Sequence, residues 1–99
     1  MSGVIIIAGS LYCNAEDRGV YLTAVADVAR AAREAPGCLD FVQAADPIDV
    51  GRINVYERWE SDADVEAFRV SGGDEDGPEP PELTGADVRK YRISAVESP

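Results

Sequence analysis

Histidine is absent from this chain of 99 residues. Without imidazole, zinc, copper and haem lose their commonest protein ligand, and the usual Ser-His-Asp and Cys-His nucleophile arrangements are excluded. Cysteine is nearly absent too. Cys13 and Cys38 stand alone, too few for a disulfide scaffold and outside any CxxC motif, so both read as small, half-buried hydrophobes. Basic residues are scarce, 9 against 19 acidic ones, for a net charge of −10. Nucleic acid binding needs clustered Lys and Arg, and an anionic membrane surface repels such a chain, so neither is an expected partner. No apolar run approaches the about eighteen residues of a membrane span. Val4 to Ala8 is too short for a secretory signal and lacks a basic flank, which places the chain in the cytoplasm by expectation.

What is present is the patterning of one small globular domain over residues 1–99, with its core expected from about 4 to 96. Val4-Ile5-Ile6-Ile7-Ala8 is a β-branched run that reads as a strand buried on both faces. Asn14 to Asp17 supplies capping and acidic residues before a long helical pattern. Tyr21, Val25, Val28 and Ala32 recur there at helical spacing, while Arg30 and Glu34 are spaced to pair on the outer face. Pro36-Gly37 ends the helix. Cys38 to Ala45 alternates as a strand, with Leu39 and Phe41 expected on one side. After a turn-rich stretch, Ile53 to Glu60 forms the next strand, placing Ile53, Val55, Glu57 and Trp59 on one face and Asn54, Tyr56 and Arg58 on the other. Ser61-Asp62-Ala63-Asp64 resembles a capping box opening a short helix through Val65 and Phe68. Ser71 to Glu82 mixes Gly, Pro and acids and reads as a mobile loop. Val88 to Val96 then alternates as a fourth strand.

The order β-α-β-β-α-β predicts a ferredoxin-like α+β fold with helices on one face of an antiparallel sheet. The uncovered face, carrying Tyr56 and Arg58, suits a second copy packed face to face, a homodimer.

Two strings carry a family resemblance: Pro36-Gly37-Cys38-Leu39 and, about twenty residues on, Glu57-Arg58-Trp59-Glu60-Ser61. Together they resemble the antibiotic biosynthesis monooxygenase family over roughly Val4 to Ser94. The resemblance implies a dimeric α+β barrel and oxygenases of quinol or anthrone type that use neither metal nor flavin. Their substrates are electron-rich aromatics which, once deprotonated, pass an electron to O₂ themselves. The protein supplies a dry pocket and a group that stabilises the phenolate. On this resemblance the catalytic candidates are Trp59, Tyr91 and Glu57. The substrate walls are Trp59, Phe68, Val55, Phe41 and Tyr21, and no cofactor is called for.

Each candidate also has a plainer reading. Trp59 is either a wall for stacking a flat substrate or a core plug between sheet and helix. Glu57 is either a desolvated base or one half of an ion pair with Arg30, Arg33 or Arg69. Tyr91, Tyr21 and Trp59, with Arg33 or Arg69, are candidates for holding a phenolate, and tyrosines also pack ordinary cores. Phe68 stands nine residues after Trp59, where many quinol-type relatives carry His, and Val55 stands where several anthrone-type relatives carry Asn. Haem-degrading relatives on the same fold pair Asn and Trp with an iron-ligating His, which this chain lacks. Two functions therefore remain open: a cofactor-independent monooxygenase, or a non-catalytic module binding a small aromatic ligand.

Overall fold

The computed structural model describes residues 3–71 and 80–99. Most of the acidic stretch expected to be mobile, positions 72–79, lies outside the described residues. The elements are β1 (Ile5–Tyr12), a short 3₁₀ turn (Ala15–Asp17), α1 (Arg18–Glu34), β2 (Cys38–Ala45), β3 (Arg52–Trp59), α2 (Asp62–Val70) and β4 (Gly85–Arg92). The strands form a four-stranded antiparallel sheet in the order β2-β3-β1-β4. This is the ferredoxin-like α+β arrangement. α1 connects β1 to β2 and α2 connects β3 to β4, so each helix crosses a strand placed between its neighbours. Among the described residues no helix is long and apolar enough to cross a membrane.

Strand pairing assigns every side chain to a face. Ile5 lies opposite Trp59, Ile7 opposite Glu57 and Leu11 opposite Ile53, and these residues face the helices. Ile6 opposite Arg58 and Ala8 opposite Tyr56 face the other way. The helix-side core holds Ile5, Ile7, Ala32, Phe41, Trp59 and Val65, with Val28, Ala29, Ala35, Cys38 and Phe68 packed against it. A second cluster of Cys13, Tyr21 and Ile53 fills the opposite end of the layer. The alanines on α1 work as expected: Ala32 is wholly buried, which lets the helix lie close to the sheet.

The structure corrects several local expectations. β1 continues through Gly9 and Ser10 instead of stopping at Ala8. Gly9 adopts φ 152°, and a Cβ there would overlap the Asp87 carbonyl across the β1–β4 pair. β1 is covered on one face only, because Ile5 and Ile7 are buried while Ile6 and Ala8 are half-buried on the open face. In β2 the register shifts between Cys38 and Asp40. Leu39 is the extra residue of this bulge and is exposed, while Cys38 takes the inward place beside Phe41. Asn14 caps the start of the helical segment with its backbone carbonyl, not its side chain. Arg30 pairs with Asp27 one turn back instead of with Glu34. β4 begins three residues earlier than its alternation suggested and ends at Arg92.

The corner after α1 locks the two helices together. Pro36 forbids a helical Ala35, whose ψ of 145° ends α1. Gly37 follows at φ +81° and its carbonyl accepts the Glu60 N–H at 2.8 Å. A Cβ on Gly37 would overlap the Asp64 carboxylate, the group that accepts the Ser61 hydroxyl at 2.8 Å while Ser61 Oγ accepts the Asp64 N–H at 3.2 Å. Gly37→Ala should therefore cost at least about 1–2 kcal/mol, the penalty for a left-handed L-residue, read as a lower urea midpoint. An unchanged midpoint would mean that the corner relaxes freely around an added methyl.

Candidate functional site

The candidate site grows from one requirement. The Trp59 ring has no solvent exposure, so its indole N–H needs an acceptor inside the apolar layer. Alternation along β3 supplies it: Glu57, two residues back on the same face, accepts from Trp59 Nε1 at 3.0 Å. Backbone acceptors on this strand are committed to β1 and β2. Phe68 of α2 closes over Trp59 with ring centroids 5.5 Å apart, and meets Phe41 edge-on at 6.3 Å. The capping of α2 by Ser61, two residues after Trp59, places Phe68 on that ring.

Glu57 brings a carboxyl into this layer. Burial raises its pKa above the ordinary 4.5, partly offset by the Trp59 hydrogen bond and the positive charge of Arg69. Among the described residues Glu57 forms none of the expected ion pairs with Arg30, Arg33 or Arg69. It is a half-buried carboxylate held by an indole. Across the sheet its row runs Phe41–Glu57–Ile7–Lys90, and the next row runs Gln43–Val55–Gly9–Val88. Gly9 leaves the middle of that second row without a side chain.

The remaining candidates separate. Val55 and Phe41 are buried walls on the helix side, next to Glu57 along or across the strands. Tyr21 belongs to the second cluster with Cys13 and Ile53, and burial raises its pKa. The structure does not bring it to Trp59. Tyr91 is displaced further: it pairs with Ile6 on the open face and is 50% exposed. The period of two sends its neighbours Lys90 and Arg92 to the helix side instead. There they bind Asp62 at 2.8 and 2.9 Å and hold its carboxyl down at about 2.

Two pockets flank these elements. A cleft of about 130 Å³ is lined by Ala35, Pro36, Asp64, Ala67, Phe68 and Ser71. Phe68 thus touches Trp59 and also borders solvent-accessible space. A second pocket of about 260 Å³ lies beside α1 and includes Arg33 and Gln43. Gln43 was not singled out from the sequence, although its place two residues after Phe41 in an alternating strand marks it as inward-facing. Among the described residues no group of three or more His, Cys, Asp or Glu is placed to hold a metal ion.

The raised Glu57 pKa predicts a pH-dependent stability with a definite sign. The folded state favours the protonated carboxyl, so its contribution is full below about pH 4.5 and is lost as pH rises through the higher folded value. Glu57→Gln keeps an oxygen for the Trp59 N–H and removes the charge. The variant should match the parent near pH 4 and exceed it in urea midpoint at pH 7.5. A variant less stable than the parent at pH 7.5 would contradict the desolvation account.

Several solved structures share this architecture. A protein from Chloroflexus aurantiacus J-10-fl, a candidate antibiotic biosynthesis monooxygenase, is similar in structure with a TM-score of 0.72 at 20% identity, covering 97% of this chain and 98% of its own. A possible oxidoreductase from Bacteroides thetaiotaomicron VPI-5482 reaches a TM-score of 0.72 at 13% identity, covering 94% and 100%. The heme-degrading protein of Mycobacterium tuberculosis has a TM-score of 0.68 at 18% identity and full coverage of both chains. At these identities the likeness is one of fold. No curated protein matches the chain at a significant level. The family model for antibiotic biosynthesis monooxygenases matches residues 4–73, well over half of the chain and the whole of β1 through α2, and the chain belongs to that family.

Proposed function

We propose that the chain is a cofactor-independent monooxygenase that oxidises a small electron-rich aromatic, a quinol or an anthrone, with O₂. The observation that carries this reading is the Glu57 carboxylate, desolvated and held on its side by the Trp59 indole. With Phe41 across the strand, Val55 beside it and Phe68 on its Trp59 partner, it is a base in an apolar setting. Removing a phenolic or benzylic proton there gives an electron-rich anion in a medium poor in water. That anion passes one electron to O₂, and the carbon radical and superoxide combine into a C–O bond. For an anthrone, the resulting hydroperoxide loses water to leave a carbonyl. One oxygen atom enters the product and one leaves as water, so the substrate supplies every electron and no external reductant enters the balance.

Haem as a substrate in the manner of the heme-degrading relative fits these residues poorly. The chain has no histidine, and Phe68, a hydrocarbon, packs on the face of Trp59. A second reading, a module that binds an aromatic without turning it over, is favoured by the inert walls Val55 and Phe68. The two are distinguished by one experiment. Anthrone or a naphthoquinol should drive O₂ consumption that rises with pH through the Glu57 pKa, and chelators should leave it unchanged. Glu57→Gln should lower kcat by about 10²–10⁴-fold while the saturable quenching of Trp59 by the same compound persists. Quenching without O₂ uptake in the parent chain would establish the binding module and end the oxygenase reading.

The same proposal assigns the open sheet face to a second copy of the chain. Ile6, Val42, Tyr56 and Tyr91 share that face, and Tyr56 and Tyr91 remain 37% and 50% exposed, an apolar surface expected to be covered. Light scattering at micromolar concentration should return a dimer mass, and Tyr56→Glu should shift it toward the monomer with the circular dichroism unchanged. A monomer mass for the parent chain removes the dimer.

A further inference from the structure

The pocket beside α1 takes no part in the chemistry above: Glu57, Trp59 and Phe68 are not among its walls. It lies at the free edge of the sheet. β2 is the outermost strand on that side, and the backbone of Phe41 shows which way the edge points. Its N–H donates to Asp40 Oδ1 at 2.9 Å and its carbonyl accepts from Arg33 Nε at 2.9 Å, so both groups are spent on side chains instead of a neighbouring strand. Gln43, two residues on, sends its side chain up toward α1. Leu22, Val25, Ala26 and Ala29 supply an apolar wall at the margin of the core: Leu22 and Val25 also pack on the Tyr21 cluster and Ala29 on the Trp59 cluster.

Three features of this pocket are unsatisfied as it stands. First, Gln43 Oε1 is buried and has no hydrogen-bond partner, which native interiors rarely tolerate. Second, Arg33 has spent one of its five N–H donors on Phe41 and makes no ion pair among the described residues. Arg30, the other cation of the rim, is already engaged by Asp27 at 2.6 Å in an exposed pair, so Arg33 is the available charge. Third, the space of about 260 Å³ exceeds the roughly 150 Å³ that accommodates a benzene ring. In a chain of net charge −10, an arginine with no carboxylate partner among the described residues, beside a small apolar hollow, is a local exception to the surrounding field.

We propose that this pocket is a binding site for a small hydroxylated organic acid of about one ring. Its apolar body lies on Ala26 and Ala29, its carboxylate meets Arg33 at the rim, and its hydroxyl reaches Gln43. The three requirements select this class together. An inorganic anion leaves the apolar wall unused, and a hydrocarbon leaves both Arg33 and Gln43 unmatched. A hydroxyl both donates and accepts, so it satisfies the Gln43 amide in either orientation. The Arg33 guanidinium is suited to a carboxylate through paired N–H donors.

Titration of 3- and 4-hydroxybenzoate into the full chain, followed by ¹H–¹⁵N NMR at about 0.15 M salt where long-range charge effects are screened, tests this. At least one isomer should bind saturably, with Kd of about 1 mM or tighter, and move the amides of Ala26, Ala29 and Gln43 and the Arg33 Nε–H most. Benzoate, lacking the hydroxyl, and phenol, lacking the carboxylate, should each bind at least about fivefold more weakly. Ala26→Phe should abolish binding by filling the pocket. Gln43→Leu should erase the preference for hydroxybenzoate over benzoate; it leaves the Arg33–Phe41 contact alone and so reports on the site even if Arg33→Gln loosens the strand edge. The proposal is overturned by shifts that never saturate, by shifts centred on Glu57 and Phe68, by equal affinity for benzoate, or by binding that survives in folded Ala26→Phe. Concentration-dependent shifts at these residues without ligand would equally overturn it, assigning the pocket to a second copy of the chain.

Discussion

A buried indole N–H must be paired, and in this protein that need places a carboxylate inside the hydrophobic layer. Trp59 ends β3 at the point where the sheet meets both helices, fully enclosed by Ile5, Val65 and Phe68. The strand's backbone oxygens are committed to the ladder, so the acceptor comes from the next inward side chain, Glu57. Once there, the carboxylate is half-desolvated and drawn toward its protonated form, with the indole and Arg69 limiting the shift. Packing and electrostatics therefore share one cause. The Trp that completes the core also holds the carboxyl whose ionisation the layer disfavours.

The two helices are fixed to that pair through the corner at Gly37. Its carbonyl receives the Glu60 N–H, one residue beyond Trp59, and its missing Cβ admits the Asp64 carboxylate. Asp64 in turn exchanges hydrogen bonds with Ser61, the N-cap of α2. The end of α1, the end of β3 and the start of α2 thus meet at one glycine, which is why Phe68 arrives over Trp59 in a defined orientation. At the other end of the sheet, Arg18 does comparable work with its own cation, donating to the carbonyls of Asp46, Asp49 and Arg52. There Asp46 accepts the Ile48 and Asp49 N–H groups and the Asn54 amide, which keeps its carboxyl ionised down to about 2. Asn54 is held in that turn on the open face, accepting from Arg52 and donating to Asp46.

Much of this was legible in the sequence because it is local. The Pro-Gly stop, the Ser61 cap, the α1 stripe and the shared face of Val55, Glu57 and Trp59 depend on residues within a few positions of one another. What escaped depends on pairing across the sheet. Cys38 and Leu39 exchange roles because a bulge between β2 and β3 absorbs one residue, and alternation within β2 cannot reveal it. Tyr91 carries the same alternation as any strand residue, but its face is set by its register opposite Ile6, at the other end of the sequence. Tyr21 reads correctly as a core residue of α1. Its distance from Trp59 follows from the layer dividing into two clusters, which helical periodicity alone does not report.

The sheet's period of two then sorts the chain's few cations into separate tasks. Along β4, Lys90 and Arg92 turn to the helix side and neutralise Asp62 at the start of α2, a position where a helix already favours negative charge. Arg89 turns the other way and pairs with Asp87. On α1, Arg33 reaches the free edge of β2, while on α2 Arg69 is the cation whose charge is felt by Glu57. With acids outnumbering bases two to one, most cations are consumed in holding elements together. Arg33 and Arg18 instead donate to backbone carbonyls, and Glu57 feels the charge of Arg69 without a direct ion pair among the described residues. A direct cation partner would offset the burial that raises the Glu57 pKa, so without one among the described residues desolvation stays the larger effect on this carboxyl.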